Sequence, residues 1–150
     1  MRKALLIFVA CVVCAVVLAL IPSTSLNCPD WDVSVVDQQG QPVSEITVRL
    51  SYQNYSVEER GHVVDKKTDL TGHASFAAQT LTASRMRRLI GTLRAAQAFV
   101  HASFGPYATV FAFGKGLEGY DIDLTKHVLV QWTGEPKSMS SRIAVKPVGF

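Results

Sequence analysis

This 150-residue sequence predicts an all-β fold: a seven-stranded antiparallel β-sandwich with one inserted amphipathic helix, preceded by an N-terminal hydrophobic helix. Three observations lead there. Along 44–52, Ile46, Val48, Leu50 and Tyr52 alternate with Thr47, Arg49 and Ser51. That period of two puts one strand face on a core and the other in water. Trp31, Val33 and Val35 repeat the pattern before Gly40-Gln41-Pro42, so the two segments read as an antiparallel pair across a Gly/Pro turn. Further short alternating runs follow, broken by Gly, Pro or Asp, as in a two-sheet sandwich.

The chain opens with Met1-Arg2-Lys3 and an uncharged apolar run over 4–21 that ends at Pro22. Eighteen residues exceed a usual secretory hydrophobic core of roughly 7–15 and just suffice to span a bilayer. Residues 1–25 therefore read as a signal peptide or a membrane anchor. Ser23 and Ser25 supply small residues for cleavage after Ser25. Arg2 and Lys3 favour a cytoplasmic N-terminus, so both readings send 26–150 across the membrane, either anchored facing the periplasm or exterior or secreted. Lipoprotein processing at Cys28 is a third route, but Asn27 is bulky where a small residue is wanted.

Charge and cysteines narrow the class. Without Arg2 and Lys3, thirteen basic residues face twelve acidic ones, so the formal charge falls from +3 to +1. The basic balance is partly a targeting feature and gives no support for nucleic-acid binding. Cys11 and Cys14 lie in the apolar run and Cys28 stands alone beyond it, so no intrachain disulfide is expected in the domain. About 120 residues can instead rely on a hydrophobic core.

Residues 22–30 read as a tether, with 26–30 as the linker proper and 31–150 as the domain. Strands are expected at 31–37, 45–53, 59–67, 73–76, 107–113, 127–133 and 141–147. Val128, Val130 and Trp132 share one face, as do Ile143 and Val145 opposite Arg142 and Lys146. In 107–113, Phe111 and Phe113 oppose Ala108, Val110 and Ala112. A strand apolar on both faces needs two covers. The expected core includes Ile46, Val48, Leu50, Phe111 and Trp132.

The insert, 82–103, carries Met86, Leu89, Ile90, Leu93 and Val100 at helical spacing. Ala96 extends that side and Gln97 breaks it. Thr82 or Ser84 can cap the helix, and Gly105-Pro106 stops the chain after it. Gly91 weakens its middle by about 1 kcal/mol relative to Ala, so a close helix–sheet approach is the expected reason for it. The helix is expected to cover the outer face of 107–113 with its apolar stripe. Arg87, Arg88 and Arg94 would then be left in water.

The order of these signals resembles the carboxypeptidase regulatory-like (prealbumin-like, transthyretin-like) domain family, an Ig-like sandwich. The residues that carry the resemblance are Val35-Val36-Asp37-Gln38-Gln39-Gly40-Gln41-Pro42-Val43 leading to Ile46–Leu50, and Thr68-Asp69-Leu70-Thr71-Gly72 followed by Phe76. The tyrosine-led Tyr107-Ala108-Thr109-Val110 and a closing strand around Ile143 and Val145 also fit. Gly40, Pro42, Asp69 and Gly72 would be structural turn residues. Asp69 can accept turn amides, and Gly72 tolerates positive φ. The insert at 82–103 departs from the family, which has a brief turn there. The resemblance implies a non-catalytic binding or scaffolding module of an exported protein. Related hydroxyisourate hydrolases end in Tyr-Arg-Gly-Ser, whereas this chain ends Lys146-Pro147-Val148-Gly149-Phe150. No Tyr/His set matches the iron site of intradiol dioxygenases.

Candidate chemistry is sparse. His62, His73, His101 and His127 fall on four separate elements without metal-ligand spacing. Asp121-Ile122-Asp123 lacks the ligand pattern of a calcium loop and reads as a solvated strand edge. Ser34, Ser44 and Ser75 have no nucleophile-elbow context. Gly114-Lys115-Gly116-Leu117-Glu118-Gly119 lacks the strand-to-helix setting of a phosphate loop and reads as a flexible turn. Asn54-Tyr55-Ser56 is a glycosylation sequon in a eukaryotic secretory host. Catalytic, cofactor-binding and metal residues are therefore expected to be absent.

The densest charged feature is Arg85, Arg87, Arg88 and Arg94. It reads as a solvated helix face or as a patch for an envelope protein or an anionic membrane surface. Arginines crowding the first helical turns run against the helix dipole. The leading expectation is a non-enzymatic exported module with a structural or interaction role at the cell envelope. The alternative is a small periplasmic or secreted enzyme whose site assembles only in three dimensions.

Overall fold

A computed structural model describes residues 2–96, 103–123, 125 and 127–149. The described chain is mostly β, with two helices and twelve strands. α1 (Arg2–Leu20) leads directly into β1 (Pro22–Cys28), followed by β2 (Asp30–Val36), β3 (Thr47–Asn54), β4 (His62–Lys67), β5 (His73–Phe76) and β6 (Gln79–Ser84). After α2 (Arg85–Ala96) come β7 (Pro106–Gly114), β8 (Leu117–Tyr120), β9 (Ile122–Asp123), β10 (Val128–Leu129), β11 (Ser138–Ala144) and β12 (Lys146–Pro147).

Two sheets share one core. The five-stranded sheet runs β12-β8-β7-β3-β4, and the three-stranded sheet runs β11-β2-β5. Trp31, Val33, Val35, Ala74, Phe76 and Ile143 from the smaller sheet meet Val48, Leu50, Tyr52, Ala108, Val110 and Ala112 from the larger in one buried cluster. Alternation explains it: every second residue of β2 and β3 is buried. Ile46 and Trp132 close the cluster.

The seven-stranded antiparallel expectation needs correction. The described strands number twelve in four sheets, and β11 pairs with β2 in parallel from Ser138↔Asp30 to Ala144↔Val36. The extra strands arise where the sequence reads as turn, tether or strand edge, where β6 takes the expected helix start at 82–84, and where 141–147 divides into β11 and β12. Residues 114–119 form a two-residue hairpin, with Lys115 and Gly116 at φ 53° and 73°, and β8 pairs back on β7. The 127–133 strand shrinks to β10, paired with β9, plus a single Ala108↔Trp132 bridge. The tether is itself a strand: β1 pairs antiparallel with β6.

The covering of β7 also differs. Its core side carries Ala108, Val110 and Ala112, while Phe111 is half-buried on the outer face. There Phe111 stacks on Phe113 and Tyr120 at 5.7 and 5.9 Å. The Arg49 guanidinium lies 4.9 Å from the Phe113 ring centre and forms a bidentate ion pair with Asp65, both contacts 2.7 Å. A cation over aromatic faces shields them in place of the expected helix.

Candidate functional site

The site begins with a two-stranded ribbon. β1 and β6 pair from Pro22↔Ser84 through Leu26↔Thr80, with Cys28↔Gln79 beyond a bulge. Thr24 and Thr82 share a hydroxyl hydrogen bond of 2.8 Å across it. β-Branched threonines favour such pairing. The ribbon is rooted in the domain, because Cys28 is fully buried in the core and Ala83 is buried as well. Burial, with Asp30 adding to it, pushes the Cys28 thiol up to about 12. It is thus a protonated core thiol rather than a reactive one.

Because Pro22 faces Ser84, a pairing that sets their Cα atoms about 5 Å apart, α1 ends and α2 begins at the same end of the ribbon. α1 is 19 residues long, with no buried side chain and a mean hydropathy of 2.9. At about 1.5 Å per residue it is about 28 Å long, near the ~30 Å of a bilayer's hydrocarbon core. Length and composition thus suit it to span a membrane as an anchor or to act as a signal sequence.

α2 is turned over relative to expectation. Ser84 caps it, its Oγ accepting the Arg87 amide at 3.2 Å. Its inward side holds Gly91 and Arg88. A Cβ on Gly91 would collide with the carbonyl oxygen of Ser56, so the close approach is to the loop after β3 rather than to a sheet. Arg88 is half-buried and donates to the carbonyls of Ser23 at 3.0 Å and Leu81 at 3.4 Å, tying the helix to both ribbon strands. Arg87 reaches the Val57 carbonyl at 3.4 Å. Meanwhile Leu89, Ile90 and Leu93 are 56, 42 and 58% exposed. The apolar stripe faces outward because arginines satisfying carbonyls hold the other side. Val100 and the expected helix end at 103 involve residues beyond α2, and Val100 lies outside the described residues.

Arg85 and Arg94 are exposed at the margins of the stripe. A cleft of about 540 Å³ opens beside it, lined by Leu20 of α1, Tyr55, Met86, Arg87, Ile90 and Arg94. Glu58 and Glu59 border the cleft too. Burial alone would raise the Glu58 carboxyl, but hydrogen bonds from the Asn54 amide, His62 and Asn27 hold it below the usual range. It links β1 to the end of β3.

The turn residues serve architecture. Asp37 Oδ1 accepts the amides of Gln39 and Gln41 at 2.9 and 2.8 Å, with Gly40 at φ 81° and Pro42 bridged to Val36. Asp69 Oδ1 accepts the amides of Thr71 and His73 at 2.8 and 2.9 Å. Gly72, at φ 76°, lies where a Cβ would sit 2.7 Å from the Val35 carbonyl. Thr68, 1% exposed, accepts the Ile46 amide and donates to the Val43 carbonyl.

The histidines do not converge. His62 contacts Glu58 at 2.8 Å and stacks on Tyr52, while His73 contacts Ser34. His127 is exposed, and His101 lies outside the described residues. No group of three metal-ligating side chains occurs among the described residues. A second cleft of about 390 Å³ adjoins Phe104, Tyr107 and Gln131, and none of the described histidines lines either cleft.

Asp121 is buried, not a solvated edge, and accepts the Ser141 hydroxyl, which itself accepts Trp31 Nε1–H at 2.7 Å. Burial raises the Asp121 carboxyl, and the Ser141 bond offsets part of that rise. No local signal in the sequence joins these three residues.

No protein-family model and no curated protein matches the chain.

Proposed function

We propose that the chain is a membrane-anchored, non-catalytic module of the carboxypeptidase regulatory-like type, with a structural or protein-interaction role on the outer side of the membrane. The observation that carries the anchor is the continuity of α1 with a strand paired into the domain. Cleavage after Ser25 would remove Pro22, Ser23, Thr24 and Ser25, four of the seven residues of β1, and strip β6 of most of its partner. A sheet edge uncovered in this way is an aggregation hazard, so retention of α1 is the better match to the fold. The Asp37–Gln41 and Thr68–Gly72 turns, each organised by one aspartate, support the family reading. The interaction role draws on α2, whose apolar stripe is exposed at Leu89, Ile90 and Leu93 among the described residues.

Topology is testable with one probe. Leu70 is 90% exposed, so Leu70→Cys offers a maleimide site. Cys28 is buried, and Cys11 and Cys14 lie within α1. A membrane-impermeant maleimide should label the Leu70→Cys variant in intact cells, or in spheroplasts where an outer membrane is present. Labelling only after lysis would place the domain on the cytoplasmic side and defeat the proposal.

A further inference from the structure

The geometry points to α2 as a second membrane contact: its Leu89, Ile90 and Leu93 side enters the surface of the bilayer that α1 spans, with Arg85 and Arg94 on anionic phospholipid headgroups. The inference rests on the anchored reading above and adds a partner to it.

Position comes first. Pro22 and Ser84 are register partners, so the chain enters α2 at the level where it leaves α1. With α1 in the bilayer, that level is the headgroup region. Leu20 lines the same cleft as Ser84, Met86 and Ile90, which places the first half of α2 beside the end of the span.

Orientation comes second. At about 100° per residue, Met86, Leu89, Ile90 and Leu93 occupy one side of α2, with Arg85 at one margin and Arg94 and Arg87 at the other. The remaining side is held inward by Arg88 and by the close approach of Gly91 to Ser56. Leu89 and Leu93 therefore face away from the described domain, while Met86 and Ile90 border the cleft between α2 and the end of α1. Leu89 and Leu93 are each more than half exposed.

Charge comes third. α2 contains four arginines and no acidic residue. A helix with an apolar side flanked by long cationic side chains lies in the plane of an anionic interface, apolar side down and guanidinium groups at the phosphates. Arginine suits this because its planar fork pairs with phosphate oxygens. Arg85, the outward-facing first-turn arginine that opposes the helix dipole, gains a counter-charge in such a surface.

The test uses the full chain reconstituted into vesicles whose acyl chains carry bromine, a tryptophan quencher. Trp31 and Trp132 are 0 and 1% exposed in the core, so the wild type sets the background. Leu93→Trp adds a reporter on the stripe. In phosphatidylcholine vesicles containing phosphatidylglycerol, emission from the introduced indole should shift to the blue and be quenched beyond the wild-type background. Arg85→Gln and Arg94→Gln should lower the docked-to-undocked ratio roughly fivefold each, and high salt should act in the same direction. Protein that floats with the vesicles while the introduced indole stays unquenched would overturn the inference alone and leave the stripe to a protein partner. Quenching that persists unchanged without phosphatidylglycerol and without both arginines would overturn the headgroup assignment. Protein that fails to float would sink the anchor, and this inference with it.

Discussion

Leu50 and Leu93 both sit in regular apolar patterns, one with a period of two and one with helical spacing. Leu50 is 1% exposed and Leu93 is 58% exposed. The regions around them differ in the same way. In the sheets, alternation fixes which side faces the core because the opposite sheet supplies the cover. In the α1–β1–β6–α2 end, the same kind of pattern tells only that one side of α2 is apolar. What covers it depends on how Arg88 and Gly91 seat the helix. Amphipathicity thus identifies an interface without naming the partner.

The sharpest way to break this comparison is to truncate both leucines. Leu50→Ala should cost about 2–5 kcal/mol through lost burial and a residual cavity. Leu93→Ala should stay within about 0.5 kcal/mol, as an exposed change remote from the core does. Chemical denaturation of both variants decides it, and equal losses would place the stripe inside the protein. Phe111→Ala should cost less than Leu50→Ala, since Phe111 stacks on the outer face rather than in the core.

Gly91→Ala carries a sign reversal. Helix propensity alone would make it stabilising by about 1 kcal/mol. The collision with Ser56 should outweigh that gain and give a net loss of roughly 1–3 kcal/mol. Faster proteolysis within α2, with the sheet core still protected, is the expected reading. A gain in stability would mean that α2 does not seat on the loop after β3.

Much of the sheet is legible in the sequence because its information is local. Trp31, Val33 and Val35 in β2, Ile46 to Tyr52 around β3, and Ile143 and Val145 all lie on the side that alternation predicts. Phe111 reads as core because two apolar faces look equivalent in sequence. Only the position of Arg49 on the neighbouring strand distinguishes them. The ribbon is hidden because Ser23, Thr24 and Ser25 read as tether chemistry, while their partners in β6 lie more than fifty residues away. Thr80 and Thr82 alternating with Leu81 and Ala83 is the signal that could reveal it. The four arginines are visible as a cluster, but their division into Arg88 turned inward and Arg85 and Arg94 outward is not. That division follows from backbone carbonyls that only the folded ribbon brings near.

Thr68→Val sharpens the turn side of the comparison. It keeps the shape but leaves the buried Ile46 amide without its side-chain acceptor, a loss of about 1–3 kcal/mol. The urea midpoint should fall, and an unchanged midpoint would make Thr68 a bystander.

A small, pH-dependent effect belongs to Glu58. Its carboxyl lies below its unfolded value, so its contribution is present above about pH 4.3, the ordinary glutamate value, and fades as pH falls through the folded value. Glu58→Gln should therefore cost less than about 1 kcal/mol at pH 7. Its difference from wild type should shrink in acid. A gap that widens on acidification would reverse the assigned sign.

The central claim is that the apolar helix and the domain are one continuous structure, joined through β1. Determining the N-terminal residue and intact mass of the mature protein, purified from membranes of its own host, tests this most directly. A chain beginning at Met1 or Arg2, with α1 present, is the predicted result. A chain beginning at Leu26 would contradict it, because β1 would then have lost the four residues that pair with Leu81 to Ser84.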